Sequence, residues 1–433
     1  MAHTPAPASG DTAWFVRDRF GLFIHWGLYA LPARHEWVKS HERMDDAAYD
    51  RYFRHFDPDL FNPEQWAQAA ADAGMRYFVI TTKHHEGFCL WDSALTDYKA
   101  PNTPAGRDLL RPVVEAFRAR GLRVGFYHSL LDWHHPDYTT DQHHPGRGDA
   151  GRAAADGRRD MKRYIDYLFG QTRELLTGYG PIDILWYDFS FAPGGGFPGK
   201  GEETWRAGEL IALVRSLQPG IILNDRLGIG GDIRTPEQFQ PRVGLTVNGR
   251  PVVWEACHTF SGSWGYHRDE ESWKSVDQLV RMLVDTVSKG GNLLLNVGPN
   301  GRGELDGRAL ERLAGIGRWM RQHGRSIYGC TQAPPEFVCP EDCRLTYNPE
   351  KKRLYLHVFS WPFRHIHLAG MAGRVEYAQL LNDASEIRML QSVPEASYGA
   401  MREEREEDLL TLELPVKKPE VTVPVIEMYL KER

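Results

Sequence analysis

Short, nearly continuous apolar runs alternate with amphipathic helical patterns along the first three quarters of the chain, and this alternation restricts the possible folds most. Runs of this kind, rich in β-branched and aromatic residues, are typical of parallel strands that are covered on both faces. The runs are Phe20–Trp26, Tyr77–Thr82, Leu122–His128, Ile182–Asp188, Gly220–Asn224, Val252–Ala256 and Asn292–Val297. Such strands, with helices between them, predict a (β/α)8-like barrel whose eighth strand the pattern does not place.

The pattern changes near residue 333, where short strands separated by turn residues replace the alternation. A chain of 433 residues is too long for one hydrophobic core, so a second domain is expected. We predict a (β/α)8-like catalytic domain over 1–333 and an antiparallel β-sandwich over 334–433. The predicted sandwich strands are Cys343–Tyr347, Arg353–Phe359, Arg374–Leu381, Glu386–Leu390, Asp408–Leu414 and Glu420–Tyr429.

Composition excludes several classes of partner. The 52 Lys and Arg against 58 Asp and Glu give a net charge of −6, which argues against a nucleic-acid partner. No apolar run is long enough to cross a membrane, and the first ten residues lack the features of a signal peptide. The 5 cysteines form no CxxC pair, so we expect free thiols and a cytoplasmic location.

Polar side chains follow the predicted strands at their carboxyl ends, where the active sites of barrels lie. Asp188 ends an aromatic strand and is a candidate nucleophile or general base; otherwise it caps the following loop. Glu237, on the loop after the fifth strand, and Glu255, at the end of the sixth, are each a possible partner for Asp188 or a rim salt bridge. Two carboxylates at a small polyol site are the minimum equipment for cleaving a glycosidic bond.

The many histidines raise the alternative of a metal-dependent hydrolase. His84 and His85 are adjacent on a strand and point to opposite faces, so they are poorly placed to share one metal ion. The sequence contains no HExxH motif, and we expect neither a metal nor an organic cofactor. A carbohydrate-binding protein without turnover is a further alternative, and exposed aromatic loops leave room for a homo-oligomer.

Nine motifs stand in order between about residues 14 and 330: FGLFIHWG (20–27), HEW (35–37), KHHEGFCLWDS (83–93), YHSLLDW (127–133), LWYD (185–188), NDR (224–226), TPEQ (235–238), WEACHTFSGSWGY (254–266) and GGNLLLNVGPNGRGE (290–304). Together they resemble the α-L-fucosidases of glycoside hydrolase family 29. The resemblance implies an exo-acting, retaining enzyme that removes terminal α-L-fucosyl residues from a fucosylated glycoside through a covalent intermediate.

The resemblance also implies roles for single residues. Asp188 matches the nucleophile, and Glu237 fits the acid/base best, with Glu255 as the second candidate. The remaining matches are to sugar-contacting residues: His25, Glu36, Trp37, His84, His85, Tyr127 and Arg226, with Trp264 and Tyr266 as an aromatic wall at the sugar's methyl group. Many family members have glycine after the nucleophile, whereas this chain has Phe189, so the leaving-group side is expected to differ. A related deoxy-sugar or galactose-configured substrate stays open.

Overall fold

The computed structural model describes residues 9–390 and 408–431 of the chain. Its first part contains nine strands: β1 (Phe20–Ile24), β2 (Tyr77–Lys83), β3 (Arg123–Ser129), β4 (Ile184–Asp188), β5 (Ile222–Leu223), β6 (Thr246–Val247), β7 (Arg250–Pro251), β8 (Glu255–Thr259) and β9 (Asn292–Val297). Strands β6 and β7 form a separate hairpin. The other seven form one parallel sheet in the order β5-β4-β3-β2-β1-β9-β8. This arrangement confirms the predicted barrel-like fold.

Eleven α-helices lie in the described part of the chain. Asn62 caps the helix over 63–72: its side chain accepts a hydrogen bond from the Gln65 amide at 3.0 Å, and Pro63 occupies the first turn. The helices are α1 (Ala13–Asp18), α2 (Val38–His41), α3 (Asp46–Arg54), α4 (Pro63–Asp72), α5 (Leu110–Ala119), α6 (Ala150–Asp156), α7 (Met161–Gly178), α8 (Glu202–Trp205), α9 (Ala207–Leu217), α10 (Val276–Ser288) and α11 (Gly307–His323).

The segment 232–238 lies in the gap between the two edge strands β5 and β8. On one side, the amide of Asp232 donates to the carbonyl of Leu223 at 2.8 Å. On the other side, the segment forms parallel bridges to β8 and the residue before it, at Arg234 with Trp254 and at Glu237 with Cys257. This irregular segment therefore takes the place of the eighth strand, which its polar sequence did not reveal.

The strand predicted over Val252–Ala256 begins three residues later and covers Glu255–Thr259. The polar residues at its end are buried because other side chains satisfy them: Gln238 donates to the hydroxyl of Thr259 at 2.8 Å. The predicted position of this strand is therefore wrong by three residues. As a result, Glu255 lies at the amino end of the strand and not at its carboxyl end.

The C-terminal part consists of antiparallel sheets, as predicted. One sheet has five strands in the order β10-β11-β12-β17-β14, and the other has three in the order β13-β16-β15. The strand over 365–369 was not predicted, and the last strand begins at Val425, not Glu420. The strands are β10 (Thr331–Gln332), β11 (Cys343–Asn348), β12 (Arg353–Val358), β13 (His365–Ala369), β14 (Val375–Leu380), β15 (Arg388–Leu390), β16 (Leu409–Glu413) and β17 (Val425–Leu430).

Two further expectations concern covalent links and membranes. All of the cysteines are free thiols, and Cys339 alone among them is exposed. Over residues 9–390 and 408–431, no helix has both the length and the apolar character that a membrane crossing demands.

Candidate active site

A pocket opens at the carboxyl ends of the parallel strands. Its volume is about 340 Å³, including the open space at its mouth. The innermost side chains are buried, whereas Trp37, Phe189 and Trp264 are partly exposed and Glu237 is exposed. The lining residues are Phe23, His25, Glu36, Trp37, His84, His85, Tyr127, Trp186, Asp188, Phe189, Glu237 and Trp264.

Asp188 is the last residue of β4, and two side chains hold its carboxylate. The hydroxyl of Tyr127 donates to Oδ2 at 2.8 Å, and Nη1 of Arg226 donates to Oδ1 at 3.0 Å. The same Nη1 donates to Oε2 of Glu237 at 2.8 Å. The two carboxylate oxygens that share this nitrogen therefore lie within about 6 Å of each other, compatible with the ~5–5.5 Å carboxyl separation of retaining glycosidases.

Arg226 is itself fixed by the segment that completes the barrel. Its Nε donates to the hydroxyl of Thr235 at 3.1 Å, and its Nη2 donates to the Thr235 carbonyl at 3.0 Å. The guanidinium also lies 4.7 Å from the ring centre of Trp186. The position of Glu237 relative to Asp188 is thus set by one arginine and by the strand-like segment that carries both Thr235 and Glu237.

Three neighbouring influences act on the pKa of Glu237. Burial raises the pKa of Glu237 above its ordinary value; the adjacent charge of Arg226 opposes this change, and the charge of Asp188 adds to it. A carboxyl group beside a negative carboxylate favours its protonated form, which is the form that donates a proton to a leaving group.

Two histidines present a lone pair, not a proton, to the pocket. Nδ1 of His25 lies 2.6 Å from Oδ1 of Asn296, whose amide nitrogen donates to the Trp264 carbonyl, so we assign the proton to Nδ1. Nδ1 of His85 likewise lies 2.6 Å from the Ser129 hydroxyl, which donates onward to the Leu131 carbonyl. Burial, together with the neighbouring His84, lowers the pKa of both rings, and we therefore describe them as neutral. With the protons on Nδ1, their Nε2 atoms are available as hydrogen-bond acceptors.

Two further lining residues keep buried polar atoms without a hydrogen-bond partner. Over the described part of the chain, Oε1 of Glu36 and Nδ1 of His84 form no hydrogen bond. The other oxygen of Glu36 accepts from the Gly265 amide at 2.9 Å, which fixes the carboxylate in place. Oε1 of Glu36 lies 3.3 Å from Nδ1 of His35 but accepts no hydrogen bond from it, so this buried oxygen can accept one from a polar ligand.

The structure brings most of the predicted residues together, but Glu255 lies elsewhere. It is fully buried at the amino end of β8, where its Oε2 accepts a hydrogen bond from Tyr77 at 2.5 Å, and Asn292 donates to the same hydroxyl at 3.3 Å. Burial raises its pKa to about 8. Tyr77 and Asn292 begin their own strands, so this cluster lies at the opposite end of the barrel from Asp188. The predicted position of Glu255 at a strand's carboxyl end is therefore wrong.

Tyr266 also lies outside the pocket, in contrast to the expected aromatic wall. Trp264 lines the pocket 5.2 Å from His25, whereas Tyr266 lines a separate small cavity beside Asp306. The chain bends at Trp264 and Gly265, because Asn296 holds the carbonyl of the first and Glu36 the amide of the second. This bend turns the two aromatic side chains into different cavities.

Three aromatic lining residues were not among the predicted site residues: Phe23, Trp186 and, as a contact residue, Phe189. Phe23 lies on β1 two residues before His25, which directly follows that strand, and Trp186 lies two residues before Asp188 on β4. Side chains two apart on a strand share a face, so this spacing was the available signal.

Over the described residues, no group of three or more His, Cys, Asp or Glu side chains is arranged to hold a metal ion.

Comparisons with known proteins identify the family of this chain. The family model for α-L-fucosidase matches residues 5–325. The plasma α-L-fucosidase of Rattus norvegicus is 32% identical over 382 residues, covering 81% of this chain and 78% of that protein. The human plasma α-L-fucosidase is 31% identical and covers 81% and 76%.

Solved structures extend the likeness over nearly the whole chain. The α-L-fucosidase isoenzyme 1 from Paenibacillus thiaminolyticus superposes with a TM-score of 0.89 at 46% identity, covering 97% of this chain and 99% of that one. A covalent intermediate trapped with 2-fluoro-fucosyl fluoride is known for a family 29 α-L-fucosidase from Bacteroides thetaiotaomicron, with a TM-score of 0.82, 27% identity and coverage of 99% and 98%. By the family model and the curated relatives, this chain belongs to the α-L-fucosidase family.

Proposed function

We propose that Asp188 is the nucleophile and Glu237 the acid/base of a retaining α-L-fucosidase reaction on a fucosylated glycoside. The observation that carries this assignment is the single Arg226 nitrogen that donates to both carboxylates. Both carboxylates line the same pocket, and the exposure of Glu237 supports its role as the residue that meets the leaving group.

In the first step, an Asp188 oxygen attacks the anomeric carbon while the bond from that carbon to the leaving oxygen breaks. Glu237 gives its proton to the departing oxygen, and a β-fucosyl ester of Asp188 forms. The Tyr127 hydroxyl, which donates to Oδ2 in the free enzyme, orients the attacking carboxylate.

In the second step, water attacks the anomeric carbon while the bond from that carbon to the Asp188 oxygen breaks. Glu237 takes the proton of that water, and fucose and the Asp188 carboxylate are released. The ester carries no negative charge, so Asp188 no longer raises the pKa of Glu237, and Arg226 is left to stabilise its carboxylate form. Loss and regain of one charge thus switch Glu237 from acid to base, and the two displacements restore the α configuration.

Recognition of the sugar follows from the remaining lining groups. The Nε2 atoms of His25 and His85 and the Oε1 atom of Glu36 are acceptors for ring hydroxyl groups. Phe23 and Trp264 supply the apolar surface that the methyl group of a 6-deoxy sugar requires.

Leaving-group dependence tests the choice of acid/base. A good leaving group departs without a proton, so Glu237→Ala should impair hydrolysis of a natural fucoside far more than that of an activated aryl fucoside. Azide should intercept the accumulated ester and give α-fucosyl azide, identified by NMR.

The matched control is Glu255→Ala, which removes a buried glutamate at the other end of the barrel. We expect it to affect every substrate alike and to give no azide product. If the leaving-group dependence and the α-azide arise with Glu255→Ala and not with Glu237→Ala, the assignment of the acid/base is refuted.

A further inference from the structure

Phe189, the residue directly after Asp188, has a backbone conformation that favours glycine. Its φ is +87°, in the region where a side chain with a Cβ is strained. Strain of this kind persists only where surrounding contacts enforce it, and it concentrates at functional sites. A bulky aromatic ring at a strained position beside the proposed nucleophile therefore calls for a functional explanation.

The Phe189 ring belongs to a row of aromatic side chains that leads out of the pocket. Its centroid lies 5.2 Å from that of Trp37 and 4.9 Å from that of His143, and His143 in turn lies 5.0 Å from Phe191. All four members, Trp37, Phe189, His143 and Phe191, are partly exposed, and the last two lie outside the pocket lining. We call these four residues the aromatic row.

The outer members of the row are held by ordered contacts between two loops. Asp141 accepts from the amide of His143 at 2.7 Å, and its carboxylate lies 3.6 Å from Nζ of buried Lys200. Phe191 and Lys200 exchange a pair of backbone hydrogen bonds at 2.9 and 3.0 Å. The row is thus built before any ligand binds, which reduces the entropy that binding must overcome.

The position of the aromatic row at the pocket mouth indicates which part of the substrate contacts it. The buried end of the pocket accommodates the sugar, so the group attached to its anomeric oxygen must pass the mouth, beside Phe189 and Glu237. Partly exposed aromatic rings bind flat apolar faces, which are found on aryl groups and on one side of many hexopyranoses. We propose that Phe189, His143 and Phe191 form a leaving-group subsite that selects substrates whose leaving group has a flat apolar face. This proposal rests on the proposed function.

Three substrates test this leaving-group subsite: 4-nitrophenyl α-L-fucoside, a fucosyl-hexose disaccharide and α-L-fucosyl fluoride. The leaving group of the fluoride is a single atom and has no flat apolar face. For Phe189→Leu and Phe191→Leu, the kcat/KM of the aryl fucoside or the disaccharide, relative to that of the fluoride, should fall about 10-fold. A fall for the aryl substrate alone identifies an aryl-selective subsite, and a fall for the disaccharide identifies a sugar subsite. Phe191→Leu leaves the strained backbone at Phe189 untouched, so it remains informative if the other variant misfolds.

The matched control is Phe197→Leu in the same loop, because Phe197 has no ring contact with the aromatic row among the described residues. Its ratios should equal those of the wild type. Equal loss for all three substrates, or no change in either row variant, overturns the leaving-group subsite. A wild-type protein that hydrolyses none of the three would instead refute the proposed function.

Discussion

At the scale of single residues, the chemistry depends on which carboxylates lie beside the Arg226 guanidinium. Arg226 donates to Asp188 and to Glu237 from one nitrogen, so a change at either carboxylate alters the electrostatic environment of the other. Glu255, in contrast, is paired with a tyrosine and has no cation beside it in the described contacts. The two candidate glutamates of the sequence analysis, Glu237 as the first choice and Glu255 as the second, therefore have different chemistry.

Removing the proposed nucleophile should nearly abolish turnover. We expect Asp188→Gly to lower kcat by about 10³-fold or more, since the lost group forms a bond in the transition state. Azide should occupy the vacated space, restore part of the turnover and give β-fucosyl azide by a single displacement. Product NMR and steady-state kinetics measure both effects, and wild-type rates for this variant would refute the nucleophile.

The buried carboxyl of Glu255 should make stability depend on pH. Because burial raises its pKa in the folded protein from 4.5 to about 8, the folded state binds more protons than the unfolded state between these values. Its stabilising contribution is present below the lower value and is lost as the pH rises through 8, by at most about 1.4 kcal/mol per pH unit. The free-energy difference between Glu255→Gln and the wild type should therefore shift in favour of the variant from pH 5 to 8.

Urea unfolding at several pH values measures this difference. The same curve for Glu311→Gln, an exposed glutamate, corrects for the general effect of neutralising one carboxylate. A Glu255→Gln difference that stays constant with pH after this correction would contradict the prediction.

At the scale of secondary-structure elements, the segment 232–238 determines whether the barrel closes around the site. Asp232 anchors it: its carboxylate, 4% exposed, accepts from the amide of Leu223 at 2.8 Å and from that of Gly10 at 2.9 Å, and pairs with Arg215. The same segment carries Glu237, so its position is a matter of both stability and catalysis.

Removing the Asp232 carboxylate should lower both the stability of the fold and the catalytic activity. We expect Asp232→Ala to lower the free energy of unfolding by about 2–4 kcal/mol, because it leaves buried amides and a guanidinium without their acceptor. It should also lower kcat/KM for a fucoside, because the segment that carries Glu237 loses a fixed end. Asp59→Ala, which breaks only the exposed pair with Arg302, is the control and should change neither quantity appreciably. Wild-type stability for Asp232→Ala would show that the segment is held by other contacts.

At the scale of the whole molecule, the barrel and the C-terminal sheets share a hydrophobic core. Tyr355, Leu381, Val423 and Val425 of the second part pack into the core of the first. Nε1 of Trp319, on helix α11, donates to the Val423 carbonyl at 2.9 Å. We propose that the chain divides into 1–333 and 334–433, because the sequence pattern changes at this boundary. The two parts nevertheless stabilise each other through the shared core.

The fragment 1–333 should therefore not fold stably by itself. Deleting the second part exposes Trp319 and the apolar core surface that the four residues cover, which favours aggregation. Circular dichroism, dye binding and fucosidase activity of the fragment measure this outcome, and co-expression with 334–433 should restore activity. A fragment that unfolds cooperatively and has the activity of the full chain would contradict it.

The sequence by itself determined the elements whose signal is local. Alternating and continuous apolar runs place β1–β4 and β9 within a few residues, and the side chain that ends a parallel strand must lie at the active-site end of the barrel. His25, Tyr127 and Asp188 could be predicted for this reason, and the ordered motifs pointed to the family before any geometry was known.

Only the tertiary structure decided the features that depend on contacts distant in sequence. The segment 232–238 has no apolar periodicity; its place in the sheet comes from backbone bonds to Leu223 and to β8. Those same bonds fix where β8 begins, and a shift of three residues moves Glu255 to the far end of the barrel while Glu237 comes to lie beside Arg226. The register of a strand is normally set by its hydrophobic pattern and by the adjacent turns, and the segment 232–238 has no such pattern. Its pairing could therefore not be predicted from local sequence.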